Sequence, residues 1–333
     1  MLDLRRRDFV TLLGGGGLLC AAKARRARAQ QPAMPVIGFM SSASAALWAH
    51  LVSAFRDGLK ANGFIEGQNV SIDFRWADGQ YDRMPIIAGE LVRREVAVIV
   101  ATGGPPAILP ALAATTTIPI VFSSGGDPIK LGFVPSLNRP GGNATGVYFF
   151  LSAMEAKRLG LLRDLVPTAG LIGVLLNPNN ASAEIQSKDV QEAARAMGQK
   201  IQIVHADTEA ALGAAFTTLA QVRADGLLVG ADPFFNTRRN LLVLLATRHG
   251  IPAMYEQREF VQAGGLMSYG TRLSDAYRQI GIYTGLILKG ERPSDLPVVQ
   301  STKFELVINL NAAKALSLEV PPSLSARADE VIE

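Results

Sequence analysis

Most of the candidate chemistry in this chain sits where short apolar runs end. Residues 96–100 and 118–122 are too short and too β-branched to be helices. The first runs into Thr102-Gly103-Gly104, the second into Ser123-Ser124-Gly125-Gly126-Asp127. Residues 106–115 between them read as a helix with proline near its start. Three more apolar runs end alike: in Ser41-Ser42-Ala43-Ser44, in Asn177-Pro178-Asn179-Asn180, and in Gly230-Ala231-Asp232-Pro233. These residue types suit reversible recognition of a small polar solute. The hydroxyls of Ser41, Ser42, Thr102, Ser123 and Ser124, beside backbone N–H groups such as that of Gly103, suit a carboxylate. Asn177 and Asn179 add side-chain amides. Asp127 and Asp232 are the loop carboxylates, and Asp232 suits an ammonium. Each precedes a proline, so a turn-forming Asp-Pro is the other reading of both. Aromatic walls can come from Trp48, Tyr148, Phe234, Phe235, Tyr255 or Tyr269; Tyr255 and Tyr269 complete the candidate site.

Other chemistry finds little support. His50, His205 and His249 share no i+3 or i+4 spacing, so no metal site is expected. His249, at a helix C-terminus, reads as dipole compensation. No nucleophile elbow, Walker loop or dinucleotide fingerprint follows a strand. In Gly103-Gly104-Pro105-Pro106 the prolines lack the N–H groups a phosphate cradle needs. No cofactor is expected.

These ends need strands and helices to place them. Runs at 36–40, 69–76, 96–100, 118–122 and 145–150 read as strands, and 69–76 alternates as an edge strand does. Helices are expected at 48–62, 84–94 and 155–165. From Gly170 the grammar repeats, with strands at 171–176, 200–205, 226–229 and 251–255 and helices at 183–197, 209–223 and 236–249. Val36-Ile37-Gly38 has its counterpart in Leu171-Ile172-Gly173, and Thr117-Ile118-Pro119-Ile120 in Gly250-Ile251-Pro252-Ala253. The expected fold is α/β: two Rossmann-like lobes with parallel sheets. One lobe takes residues 34–148 and part of 256–290, the other 149–255 and part of 291–333. A strand at 266–271, a helix at 274–288 and an extended stretch at 297–309 are too little for a third core. They should cross back and complete both lobes, giving a multi-crossing hinge and a cleft.

Residues 1–29 read as a cleaved export signal. Arg5-Arg6-Arg7-Asp8-Phe9-Val10 is a twin-arginine-like n-region, residues 10–22 an apolar h-region, and Ala27-Arg28-Ala29 a cleavage site. Seven basic against two acidic residues give this segment +5, more than the whole chain's +4, so the remainder is near −1. That remainder does not call for nucleic acid. Cys20, the chain's one cysteine, would leave with the signal, which excludes disulfides and thiol chemistry from the mature protein.

Longer motifs carry a resemblance. They are Gly126-Asp127-Pro128, Arg139-Pro140-Gly141-Gly142-Asn143-Ala144-Thr145-Gly146, Asn177-Pro178-Asn179, Ala231-Asp232-Pro233-Phe234-Phe235, Gly264-Gly265-Leu266-Met267-Ser268-Tyr269-Gly270 and Leu288-Lys289-Gly290. The tail from Asp295-Leu296-Pro297 through Thr302-Lys303-Phe304-Glu305-Leu306-Val307-Ile308-Asn309 to Ala328-Asp329-Glu330-Val331-Ile332-Glu333 is the most distinctive. Across nearly the whole mature chain, the sequence resembles the substrate-binding proteins of ABC transporters, in the family that includes tryptophan- and tyrosine-type members. The resemblance implies a type I periplasmic-binding-protein fold and a monomer in the periplasm. It implies a small solute, an amino acid and aromatic for preference, passed to ABC permease membrane subunits. An exported sensory module and an exported α/β enzyme using the same cleft are the two rival readings.

Overall fold

The computed structural model describes residues 34–149 and 152–333, without the side chains of 150–153. The expected export signal, its cleavage near Ala29 and Cys20 lie outside the described residues. The chain from Pro35 to Glu333 forms one compact unit.

The first part runs β1 (Val36–Ser41), α1 (Ala49–Ala61), β2 (Ser71–Trp76), α2 (Met84–Arg93), β3 (Val98–Thr102), α3 (Pro105–Ala114), β4 (Ile120–Ser124) and β5 (Ala144–Tyr148). Then come α4 (Ser152–Leu165), β6 (Leu171–Leu176), α5 (Ala183–Ala196), β7 (Lys200–His205), α6 (Glu209–Gln221) and β8 (Gly226–Val229). They are followed by α7 (Pro233–Thr237), α8 (Arg239–Arg248), β9 (Ala253–Tyr255), α9 (Arg258–Gln262), β10 (Met267–Thr271) and α10 (Leu273–Leu288). The tail holds β11 (Val299–Gln300), β12 (Phe304–Asn309), α11 (Leu310–Ala315), α12 (Pro322–Ser325) and β13 (Glu330–Ile332).

The strands form two sheets, in the orders β11-β5-β4-β3-β1-β2 and β13-β12-β10-β9-β8-β6-β7. Among the described pairings all are parallel except β10 with β12. The order β2-β1-β3-β4-β5 in one sheet repeats as β7-β6-β8-β9-β10 in the other, which is the physical content of the internal likeness. Inner strands are apolar without alternation because helices cover both faces. Ile37, Val98 and Val121 face one layer; Met40, Ile99 and Ile120 face the other. The second sheet is sandwiched in the same way. β2, half-buried along its length, is an edge.

The chain changes sheets after β5, returns after β10 and changes again between β11 and β12. The extended stretch expected at 297–309 is therefore two strands in different sheets. The helix expected at 236–249 also divides. Asp232 caps a helix that begins at Pro233, and Arg238 breaks it with φ −103°, ψ 19°. Two strands start and finish two residues later than expected, at Val98–Thr102 and Ile120–Ser124. Ladder pairing carries them on: Ser41 is opposite Thr102, and Ser124 opposite Tyr148.

α10 returns to the first lobe and packs on α1 at backbone distance. A Cβ on Gly281 would lie 2.1 Å from the Phe55 carbonyl oxygen, and one on Gly58 2.0 Å from that of Arg278. Gly281→Ala should cost about 2–3 kcal/mol through overpacking. Gly213→Ala, in α6 with nothing within 4 Å of its Cβ position, should gain up to about 1 kcal/mol from helix propensity. Urea unfolding of the two variants checks both signs.

Candidate functional site

Parallel strands of both sheets aim their carboxyl ends at one cleft, the place where open α/β sheets bind ligands. The cleft holds about 790 Å³ of empty space, part of it open to solvent. The first lobe supplies Trp48, Gly103, Gly104, Pro105, Ser123, Gly125, Gly126 and Phe149. The second supplies Asn180, Ser182, Ile185, Gln186, Asp189, Ala231, Asp232, Pro233, Asn236, Glu256 and Gln257, and Thr271 and Leu273 lie at the crossing.

Gly103 and Gly104 turn with φ 86° and 76°, and a Cβ on Gly103 would strike the Ser42 hydroxyl at 2.2 Å. Only glycine fits such a turn. The turn feeds α3, whose first residues are Pro105 and Pro106. The N–H groups of Gly104, Gly125 and Gly126 have no protein acceptor among the described residues. They make the first lobe's wall a donor surface.

The expected site residues divide. Gly103, Ser123 and Asp232 line the cleft. Ser41, Ser42, Thr102 and Ser124 are fully buried, and their hydroxyls are spent on nearby backbone. Ser42 Oγ donates to Gly103 O at 2.8 Å, Thr102 Oγ1 to Met40 O at 3.4 Å and Ser124 Oγ to Gly126 O at 2.7 Å; Ser41 Oγ accepts from Ala43 N at 3.2 Å. These groups shape the loops from within, because three of them still belong to strands. Asp127 accepts from Ile129 N and Lys130 N, the turn-forming role open to an Asp-Pro. Asn177 Nδ2 donates to Asp232 at 2.9 Å; Asn179 Nδ2 donates to Asp207 at 3.1 Å, on a neighbouring groove. Tyr255 stacks on Phe260 at 4.5 Å within the core, and Tyr269 packs on Phe304. Of the candidate walls, Trp48 is in the cleft, while Tyr148 and Phe235 are buried in core layers.

Asp232 has a structural post. It is 2 % exposed and accepts from five donors: Asn177 Nδ2, Asn180 Nδ2, Tyr81 Oη, Phe234 N and Phe235 N, at 2.8–3.3 Å. Two carboxylate oxygens offer about four lone-pair positions, so nothing remains for a ligand's ammonium. Burial pushes its pKa up, and the Asn177, Asn180 and Tyr81 hydrogen bonds pull against that. Tyr81 belongs to the first lobe, between β2 and α2; its hydroxyl donates to Asp232 Oδ2 at 2.8 Å and accepts from Phe234 N at 3.0 Å. This node joins the lobes. His50 of α1 and Glu259 of α9 meet across them at 2.9 Å on another side. The lobes are therefore closed on each other.

Glu256 and Asn236 escaped the sequence reading. Glu256 directly follows β9, so the strand-end argument that picked out Thr102 and Asp232 applies to it equally. It is 7 % exposed, and burial raises its pKa to about 7. Tyr81 gives no such signal, since its partner is 151 residues away. Gln186 also stands outside the expected set; its side-chain amide makes paired bonds to Ala231 N and O at 2.8 and 3.1 Å.

Two lobes thus close over one cleft whose lining is mainly apolar, with polar groups at fixed points. The chain belongs to the ABC transporter substrate-binding protein family, whose pattern it matches over residues 36–332. Its fold is that of type I periplasmic binding proteins. It is 28 % identical over 265 residues to a tyrosine-binding protein of Clostridioides difficile strain R20291, covering 80 % of this chain and 76 % of the relative. An ABC domain from Streptococcus pneumoniae solved in complex with L-Trp superposes with a TM-score of 0.82 at 24 % identity, covering 90 % of this chain and 99 % of the other. A ligand-free, open substrate-binding protein with adhesive properties from Clostridium difficile gives 0.64 at 27 % identity over the same shares.

Tyr81→Phe should weaken solute binding about tenfold, the worth of one hydrogen bond to a charged acceptor. The ligand-free melting temperature should hardly move if the bond forms only when the lobes close. Calorimetric titration beside thermal melts separates the two effects; unchanged affinity would remove Tyr81 from closure.

Proposed function

We propose that this chain is the extracytoplasmic solute receptor of an ABC importer, that it binds an amino acid, aromatic for preference, and that it does no covalent chemistry. The observation that carries the reading is the cleft itself: bare backbone donors on one lobe, carboxylates and amides on the other, and a hydrogen-bonded seam where the lobes meet. Donors of this kind suit a carboxylate. Trp48, Phe149, Ile185 and Leu273 supply apolar walls for a side chain. The tyrosine-binding relative and the L-Trp complex support the amino-acid assignment. The lower score against the open, ligand-free relative supports a closed arrangement here.

In this reading a solute stabilises the closed form by contacts that exist only when both lobes touch it. Permease subunits then recognise the closed shape, and the receptor works as a monomer. The export signal read in residues 1–29 supports a periplasmic site of action. Among the described residues no helix is long and apolar enough to cross a membrane.

Thermal unfolding of protein starting at Gln30, refolded to strip bound solute, tests the proposal against amino acids, organic acids and sugars. A ligand at a hundred times its dissociation constant adds about 2.7 kcal/mol, a rise of roughly 5 °C for a chain of this size. A rise with L-tyrosine or L-tryptophan supports the reading. A rise with sugars alone would overturn the amino-acid assignment.

A further inference from the structure

Resting on the receptor reading above, we infer that Glu256 and Asn236 form the cation site of the cleft, taking the ammonium of an amino-acid solute. Asp232, the carboxylate that the sequence put forward for this role, is saturated by its five donors. Glu256 is not. Asn236 Nδ2 and Gln257 Nε2 both donate to Oε1, at 3.0 and 3.2 Å. Oε2 accepts no hydrogen bond from any described residue. Glu256 lines the cleft, and Oε2 is its unbonded oxygen.

Asn236 supplies the second, independent observation. It is 3 % exposed, lines the cleft, and its Oδ1 is buried without a hydrogen-bond partner. A carboxylate can only accept, so Glu256 fixes the Asn236 amide with its nitrogen toward Oε1 and its oxygen away. An acceptor left bare in a buried position costs free energy until a donor fills it. Glu256 Oε2 and Asn236 Oδ1 are unfilled acceptors on the second lobe, opposite the first lobe's unfilled backbone N–H groups, and Asp189 Oδ2 is a third on the same lobe. A zwitterion bridging the cleft satisfies both sets: carboxylate to Gly104, Gly125 and Gly126, ammonium to Glu256 and Asn236.

The charges around Glu256 leave room for such a cation. Arg158 of α4 is the nearby positive group and Glu155 of the same helix a negative one; Asp232 is a further negative group. Arg158 is fully buried; its Nη2 is bonded to Glu155 Oε1 at 2.5 Å, its Nε and Nη1 have no partner among the described residues, and it makes no hydrogen bond to Glu256. Burial dominates, so the empty site holds its proton up to about pH 7. An ammonium must displace that proton. Affinity should therefore fall as pH drops, about tenfold between pH 8 and pH 6.

The test is calorimetric titration of wild type and Glu256→Gln with L-tyrosine and with 3-(4-hydroxyphenyl)propionate, which keeps the ring and carboxylate and lacks the ammonium. The expected result is a loss of about 30-fold or more for L-tyrosine in the variant and for the deamino acid in wild type. The variant should bind the deamino acid no worse than wild type does, and its affinity for L-tyrosine should be flat between pH 6 and pH 8. Glu256→Gln should melt no lower than wild type at pH 8, where wild type carries a buried charge that the amide lacks. Equal losses for both ligands, or none for either, would overturn the cation site while leaving the receptor reading standing. Wild type that binds the deamino acid as tightly as L-tyrosine would do the same. No binding of either compound by wild type would overturn the amino-acid assignment and the cation site together.

Discussion

A buried carboxylate must be met by donors, and the way Asp232 is met organises the second lobe's rim and closes it on the first. Its donors come from the loop after β6, from the backbone at the start of α7 and from Tyr81 across the cleft. An Asp-Pro at a helix start is a local device: the side chain caps N–H groups that the helix cannot satisfy, and proline fixes the first helical φ. Burial turns that local device into a long-range one, because the remaining lone pairs still need partners. They find them in Asn177 and Asn180 of the same lobe and in one hydroxyl of the other. In the proposed reading, opening the cleft would return that hydroxyl to water. The closed form is thus held by a bond that is cheap to break, as reversible capture requires.

The same logic of satisfied and unsatisfied groups separates framework from site. Ser41, Ser42, Thr102 and Ser124 are satisfied internally and serve as stitching between strand ends and loops. Gly104, Gly125 and Gly126 on one wall, and Glu256, Asn236 and Asp189 on the other, are left with unfilled groups. The polarity of the cleft follows from which lobe holds the donors and which the acceptors. In the proposed reading, the apolar walls set by Trp48, Phe149, Ile185 and Leu273 choose among side chains of the solute. Capture and closure are one event in this account, since each lobe's unfilled groups are filled by opposite ends of one molecule.

Much of the fold was legible because parallel strands buried on both faces read as unbroken apolar runs, and because glycine and proline punctuate them. The repeated strand order was visible as Val36-Ile37-Gly38 against Leu171-Ile172-Gly173. What sequence missed has physical causes. Apolar composition marks where a strand is buried, while hydrogen bonding decides where it ends. Thr102 and Ser124 are polar and still at strand ends, so hydroxyls expected on loops bond nearby backbone. Asp232 was found, but its type could not say that five donors already surround it. Glu256 directly follows the strand that ends at Tyr255, so strand-end position marks it as it marks Asp232. Tyr81 and Asn236 carry no local mark, because their roles depend on partners brought together only by closure and by the helix that Asp232 starts.

The most direct test of this account is a crystal structure of the protein with the amino acid that raises its melting temperature most. The account requires the solute's carboxylate against the Gly104, Gly125 and Gly126 N–H groups and its ammonium within hydrogen-bond distance of Glu256 and Asn236, with Tyr81 still bonded to Asp232. A solute lying the other way round, or one whose ammonium contacts Asp232 and leaves Glu256 bare, would contradict it.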